Sequence, residues 1–301
     1  MDYSKLMSDM TDQEARDYIK MLFEGYQNRK EEKRLFNDTA SIPKMIIMTY
    51  YACVKEKSLD NIYKQFQNKY MSKESIKNFK ERYIYNENKL EEVHTKEEQR
   101  GLRAVYNFIE NDDNCEFINI YTLSDIHQIL YSYAPYPNFG GKYRKDERYL
   151  PNSGVDTTSP DLIVHEMNLL KNEVDEIVEE GKKLGKNVNV DKIIIYINKC
   201  IELKCKLIKI HPFGDGNGRS IRAFINMLFK LANIPPIYVE NKERQKYGEA
   251  MQTAIVDGDL TKIQGFYYYK ICDSIVGLGM NLDNKKTYLD DSVSLRKKGV
   301  K

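Results

Sequence analysis

The chain has 301 residues, 47 basic against 45 acidic side chains, and a formal charge of +2. Near-neutrality excludes the broad basic footprint of a dedicated nucleic-acid binder, and a composition of 41% hydrophobic and 31% charged residues excludes a disordered chain. No apolar run reaches the roughly 18 residues of a membrane span, the first residues lack a signal-peptide stretch, and five cysteines without a CxxC pair speak against a disulfide framework or a thiolate zinc site, so a cytoplasmic protein with no membrane partner is expected.

Only 8 prolines and 16 glycines interrupt long stretches of Leu, Ile, Lys, Glu and Tyr at helical spacing. The first predicted helix opens at Thr11 with Glu14 three residues on, a capping box before Tyr18, Met21, Leu22 and Phe23. Others follow over residues 42–54 and 62–70, from near Ser72, and around 102–109. Residues 134–161 are crowded with turn formers, and within them 142–150 lacks a helical stripe and is expected to form a short hairpin. Helical patterning resumes at Leu162. Ile194, Ile197, Ile201, Cys205 and Ile208 then mark a long helix over 190–210. Pro212 disfavours helical backbone at the residue before it, so that helix should stop at or just before His211. A further helix restarts after Gly218 with Ile221, Phe224, Leu228 and Leu231, and Pro235–Pro236 are expected to stop it. The expected organisation is a helical region over 1–82, an all-α domain over 83–280, and a polar, flexible tail over 281–301.

Between the last two helices lies His211-Pro212-Phe213-Gly214-Asp215-Gly216-Asn217-Gly218-Arg219, with Arg222 three residues on. Alternating glycines let backbone N–H groups turn toward one point without Cβ obstruction. A helix start follows, with free N–H donors and a positive dipole end, which makes an anion site and most simply a phosphate site. Arg219 and Arg222 in the first turn are poorly placed for the helix dipole and well placed for a polyphosphate. Asp215 supplies a hard oxygen ligand for Mg²⁺, and His211 a general base. The loop is not a P-loop, because no Lys follows its glycines. The dinucleotide fingerprint is excluded by spacing and by the helix before it. A calcium loop from Asp215 would need an acidic or amide side chain where Arg219 stands.

The segment HPFGDGNGRSIR resembles the Fic-family signature HPFx(D/E)GNGRxxR at every specified position. Gly141-Lys142-Tyr143-Arg144 resembles the family's GxyR stretch, and residues 123–130 the helix that precedes it. The resemblance covers residues 83–272. It implies an all-α Fic core with a β-hairpin flap, and transfer of AMP from ATP to a Ser, Thr or Tyr hydroxyl of a protein. On that reading His211 deprotonates the hydroxyl, Asp215 holds Mg²⁺, and Gly216, Asn217 and Gly218 cradle the α-phosphate. Arg219 and Arg222 neutralise the outer phosphates, and Phe213 anchors the loop. Flap residues Arg148, Tyr149 and Leu150 lie near the nucleotide, and Tyr247 walls the adenine pocket or packs in the core. Self-modification and a homodimer are further expectations. The alternatives are transfer of another phosphate-containing group, removal of AMP, or a non-catalytic nucleotide-sensing module, against which His211 argues.

Tyr83 to Asn88 partly matches the family's inhibitory motif (S/T)xxxE(G/N), with Tyr83 where Ser or Thr is usual. Glu87 is therefore expected to pair with Arg222 and to inhibit. Glu91, four residues on, is expected to repel it by about 0.2–0.5 kcal/mol, small beside a charge-assisted pair of about 1.5–3 kcal/mol. The other reading is a solvated acidic face. His94, His127 and His165 are expected to be surface or satisfied core residues, and Cys200 and Cys205 to pack helices.

Overall fold

The computed structural model describes residues 73–93, 95–135, 139–150, 155–186 and 190–279. The helices expected within 11–70, the charge run 29–34, His94 and the tail lie outside them. Among the described residues the fold is helical: α1 (Lys73–Leu90), α2 (Lys96–Glu110), α3 (Thr122–Leu130), α4 (Ile163–Leu169), α5 (Lys171–Lys186), α6 (Val190–Ile210), α7 (Asn217–Leu231), α8 (Arg244–Val256) and α9 (Thr261–Gly279). No helix among them is long and apolar enough to cross a membrane.

Helix α7 is the axis of the core and packs against α2, α3, α5 and α6. Its sequence, NGRSIRAFINMLFKL, is buried from Ser220 to Phe229 on every face, so its neighbours wrap it completely. Each large apolar side chain buried there contributes about 1.5–3 kcal/mol. Helix α2 shows the complementary pattern. Thr95 caps it by accepting from the Glu98 N–H, and Leu102, Val105, Tyr106 and Ile109 form its buried stripe. Helix α1, through whose middle the expected boundary at 82–83 runs, packs on α2 and α9.

Both ends of the α6–α7 pair are set by local chemistry. Helix α6 ends at Ile210, as Pro212 requires. Helix α7 stops sooner than Pro235–Pro236 would force. Asn233 adopts a left-handed φ of 57°, and the Ile234 and Asn233 N–H groups donate to the Phe229 and Lys230 carbonyls, closing the helix end as a Schellman-type cap.

The expected hairpin over 142–150 is reduced, among the described residues, to one antiparallel bridge between Tyr149 and Asp156. Its backbone groups also bond elsewhere: the Arg144 N–H donates to the Pro212 carbonyl and the Thr158 N–H to the Lys209 carbonyl. The segment is thus tied to the end of α6 as well as to itself, where the Leu150 N–H donates to the Val155 carbonyl at 3.4 Å.

Candidate active site

The loop between α6 and α7 is braced from inside. The Asn217 side chain accepts from the Phe213 N–H at 2.9 Å and donates to the Phe213 carbonyl at 2.7 Å, so its amide closes the loop and only its backbone faces the nest. Phe213 is fully buried. Gly216 has φ 72° and caps α7. A Cβ there would lie 2.8 Å from the Tyr131 ring and hydroxyl, so glycine is required twice over.

Asp215 is held on both carboxylate oxygens, Oδ1 by the Gly216 N–H at 2.7 Å and Oδ2 by the Tyr131 hydroxyl at 2.9 Å. Its carbonyl meets His127 Nε2 at 2.9 Å, while His127 Nδ1 accepts from the Gly141 N–H at 2.8 Å. That pair of bonds fixes the neutral tautomer with its proton on Nε2. Burial lowers the His127 pKa to about 4, against the pull of the Asp215 carbonyl. The ring stacks on Phe213 at 3.9 Å. His127 is thus the satisfied core histidine of the two readings, and His165 is exposed.

His211 follows α6 with φ 51°, a left-handed conformation costing a non-glycine residue about 1–2 kcal/mol. Its N–H still donates to the Leu207 carbonyl. Its ring is partly exposed, and Nδ1 makes no hydrogen bond of normal geometry. Burial, then the positive charge of Arg144, lowers its pKa to about 4, so the ring is neutral at pH 7.

Both arginines, in the first turns of α7, are buried against carboxylates from α1, the turn after it and α2. Arg219 binds Glu98 at 2.8 Å and the Tyr131 hydroxyl at 3.1 Å. Arg222 binds Glu87 at 2.7 Å through Nε and Glu91 at 2.7 Å through Nη2. Glu87 is fully buried and also accepts from the Val239 N–H, which removes the solvated-face reading. Burial pushes its carboxyl up and Arg222 pulls it back. Although burial works against its charge, Glu87 and Glu91 hold Arg222 well above its usual range. The expected repulsion of Glu87 by Glu91 is therefore outweighed, because Arg222 takes one carboxylate on each side. Glu91 also lies over the nest: a Cβ on Gly218 would sit 2.4 Å from Glu91 Oε1. At the motif's first position, Tyr83 is buried and packs edge-on against Tyr106, with ring centroids 4.9 Å apart.

Arg148 reaches over the loop, its Nη2 3.9 Å from where a Gly214 Cβ would be, and adds positive field at His211. Tyr149 is 70% exposed and Leu150 half-buried. Tyr247 is half-buried between Phe266 and the Lys204 ammonium, close enough to act electrostatically on Arg222. Cys200 and Cys205 are buried in the core.

No group of three or more metal-ligating His, Cys, Asp or Glu residues occurs among the described residues. Asp215, at the start of the nest, offers carboxylate lone pairs, whereas Glu91 is engaged by Arg222. That donor set fits Mg²⁺, which binds few protein carboxylates and takes its remaining ligands from phosphates and water. Tyr131, Glu98, Glu91, His127 and Arg144 were not identified from the sequence as parts of this site.

The Fic/DOC family matches residues 117–229 of this chain. A protein named Protein adenylyltransferase Fic from Aedes aegypti is 25% identical over 162 residues, 53% of this chain and 29% of that protein. Its namesake from Culex quinquefasciatus is 44% identical over 55 residues, 18% of this chain and 11% of that protein. The chain thus matches less than a third of these relatives' length. A Fic domain containing signaling protein from Bacteroides thetaiotaomicron has a similar fold, with TM-score 0.54 at 17% identity over 71% of this chain and 95% of that one.

Proposed function

We propose that this chain is a protein adenylyltransferase, moving AMP from MgATP to a Ser, Thr or Tyr hydroxyl. The observation that supports it best is the pair of buried arginines at a glycine-rich helix start, each neutralised by an internal carboxylate. Two buried cations beside an anion nest suit a polyphosphate, which exchanges places with the carboxylates.

In this reading the Gly216 to Gly218 backbone binds the α-phosphate. Arg219 and Arg222 leave Glu98, Glu87 and Glu91 to take the outer phosphates. Neutral His211 accepts the target hydroxyl's proton as its oxygen attacks the α-phosphorus; the bond to the β-phosphate oxygen breaks and pyrophosphate leaves. Asp215 would hold Mg²⁺, which would supply charge neutralisation to the bound nucleotide. Tyr131 and the Gly216 N–H hold that carboxylate in place. The Tyr149 edge of the flap aligns the target segment by strand addition, with Arg148 and Leu150 beside it, and Tyr247 walls the base. Glu87 is the inhibitory carboxylate, since its pair with Arg222 denies that cation to the outer phosphate.

Intact mass after incubation with MgATP tests the reading. An AMP-sized gain on the chain or on an added protein, lost in His211→Ala and larger in Glu87→Gly, is the expected result. A phosphate-sized gain would move the reaction to another Fic-fold transfer. No gain in any variant, with proteins of a lysate supplied as targets, would overturn the proposal.

A further inference from the structure

We propose that Arg144 is a positioning residue for His211, holding the base's backbone in its left-handed conformation through the peptide groups on either side. The inference rests on the reading above, in which His211 takes the hydroxyl proton.

Arg144 is only 6% exposed, yet no carboxylate lies within ion-pair distance of it among the described residues. Its guanidinium is given over to backbone and one hydroxyl. Nε donates to the His211 carbonyl at 2.7 Å. Nη2 donates to the Ile210 carbonyl at 3.3 Å, to Thr157 Oγ1 at 3.0 Å, and to the Thr158 carbonyl. Nη1 donates to the Asp146 carbonyl at 2.7 Å, and the Arg144 backbone N–H to the Pro212 carbonyl at 2.9 Å. One residue thus fixes the carbonyls of Ile210, His211 and Pro212, three consecutive peptide groups around the base.

The need for such a clamp follows from local geometry. A helix end leaves carbonyls without intrahelical partners, and a left-handed residue after it is normally glycine. Here that residue is a histidine, further restricted by the proline behind it. A buried fork of N–H donors closes those carbonyls, and its charge complements the helix's negative end. Lysine has the charge without the fork.

The clamp also bears on the protonation of His211. Arg144 and Arg148 face the ring with positive charge, while Glu91 and the Ile208 carbonyl favour the protonated form. Arg144 therefore acts twice, through backbone geometry and by keeping the imidazole unprotonated.

The test pairs AMP-labelling rates with an NMR titration of the His211 imidazole, which needs no nucleotide. In Arg144→Gln, labelling is expected to fall at least tenfold and the His211 titration to move to higher pH. In Arg144→Lys, which keeps a charge and loses the fork, labelling is expected to fall similarly while the titration stays near its wild-type position. Thr157→Val, which removes one acceptor of the fork, gives a smaller loss and keeps the test open if Arg144→Gln does not fold. Tyr196→Phe removes a buried hydrogen bond to the Leu228 carbonyl and controls for lost stability; its His211 titration is expected to be unchanged. Labelling within twofold of wild type in the Arg144 variants, or an unmoved titration in Arg144→Gln, would overturn the inference. If wild type labels nothing while the titration moves as stated, the clamp stands and the adenylyltransferase reading falls.

Discussion

The Tyr131 hydroxyl joins the two halves of the anion site, donating to Asp215 while accepting from Arg219. Its removal in Tyr131→Phe leaves an Asp215 carboxylate oxygen and the buried Arg219 guanidinium each short of a partner. A hydrogen bond to a charged group is worth about 1.5–3 kcal/mol, so chemical denaturation should show a loss of that order. Labelling should fall with it, because Asp215 loses one of its two restraints. Gly216 gives a sharper case. In Gly216→Ala the added Cβ meets left-handed strain of about 1–2 kcal/mol and the Tyr131 ring at 2.8 Å. A loss of stability larger than the strain alone, read by urea melts, is expected, together with weaker ATP binding in calorimetry. The requirement for glycine was legible from the alternating Gly pattern. The ring that enforces it was not, since Tyr131 lies more than eighty residues away and carries no local signal.

Helix α1, the turn after it and helix α2 lie outside the 117–229 match, and among the described residues they supply the carboxylates bound to the two arginines. Removing one partner of a buried ion pair costs about 3–5 kcal/mol when the remaining charge is left alone. In Glu87→Gly, Glu91 still neutralises Arg222, so the loss should be smaller. The double variant Glu87→Gly/Glu91→Ala should lose more than the sum of the single losses. MgATP is expected to raise its melting temperature more than that of wild type, because phosphate replaces both carboxylates. Equal nucleotide shifts in wild type and double variant would show that these carboxylates do not compete with ATP. Glu98→Gln makes the same comparison at Arg219. The Glu87–Arg222 contact was legible through the partial inhibitory motif. Glu91 was read from helix spacing as a repelling neighbour of Glu87, which it is; that it also pairs with Arg222 was not legible, because spacing alone does not include a cation arriving from α7.

Two partly or wholly buried histidines, His127 and His211, have pKa values lowered to about 4 from an ordinary 6.5. The unfolded chain therefore takes up protons first as pH falls. Stability from these two groups is fully present above pH 6.5, declines between 6.5 and about 4, and levels off below, at about 1.4 kcal/mol per unit of pKa difference for each. Urea melts at pH 7, 5.5 and 4 should show the decline, and His127→Gln should flatten it. A decline of unchanged slope in that variant would rule His127 out as a source.

Sequence alone determined the features that depend on neighbours along the chain: the α6 and α7 stripes, the stop before Pro212, the glycine nest and the residues of its signature. Of the hairpin expected over 142–150 the described residues show one bridge, and the Arg144 N–H bonds to the Pro212 carbonyl after α6, a partner that chain order does not reveal. The same holds for Tyr131 and Glu98 on Arg219, Glu91 on Arg222, His127 behind Asp215 and Arg144 behind His211. Each acts across a large gap in sequence through a hydrogen bond or a buried charge. Such contacts are set by which helices wrap α7, and only the tertiary structure decides that.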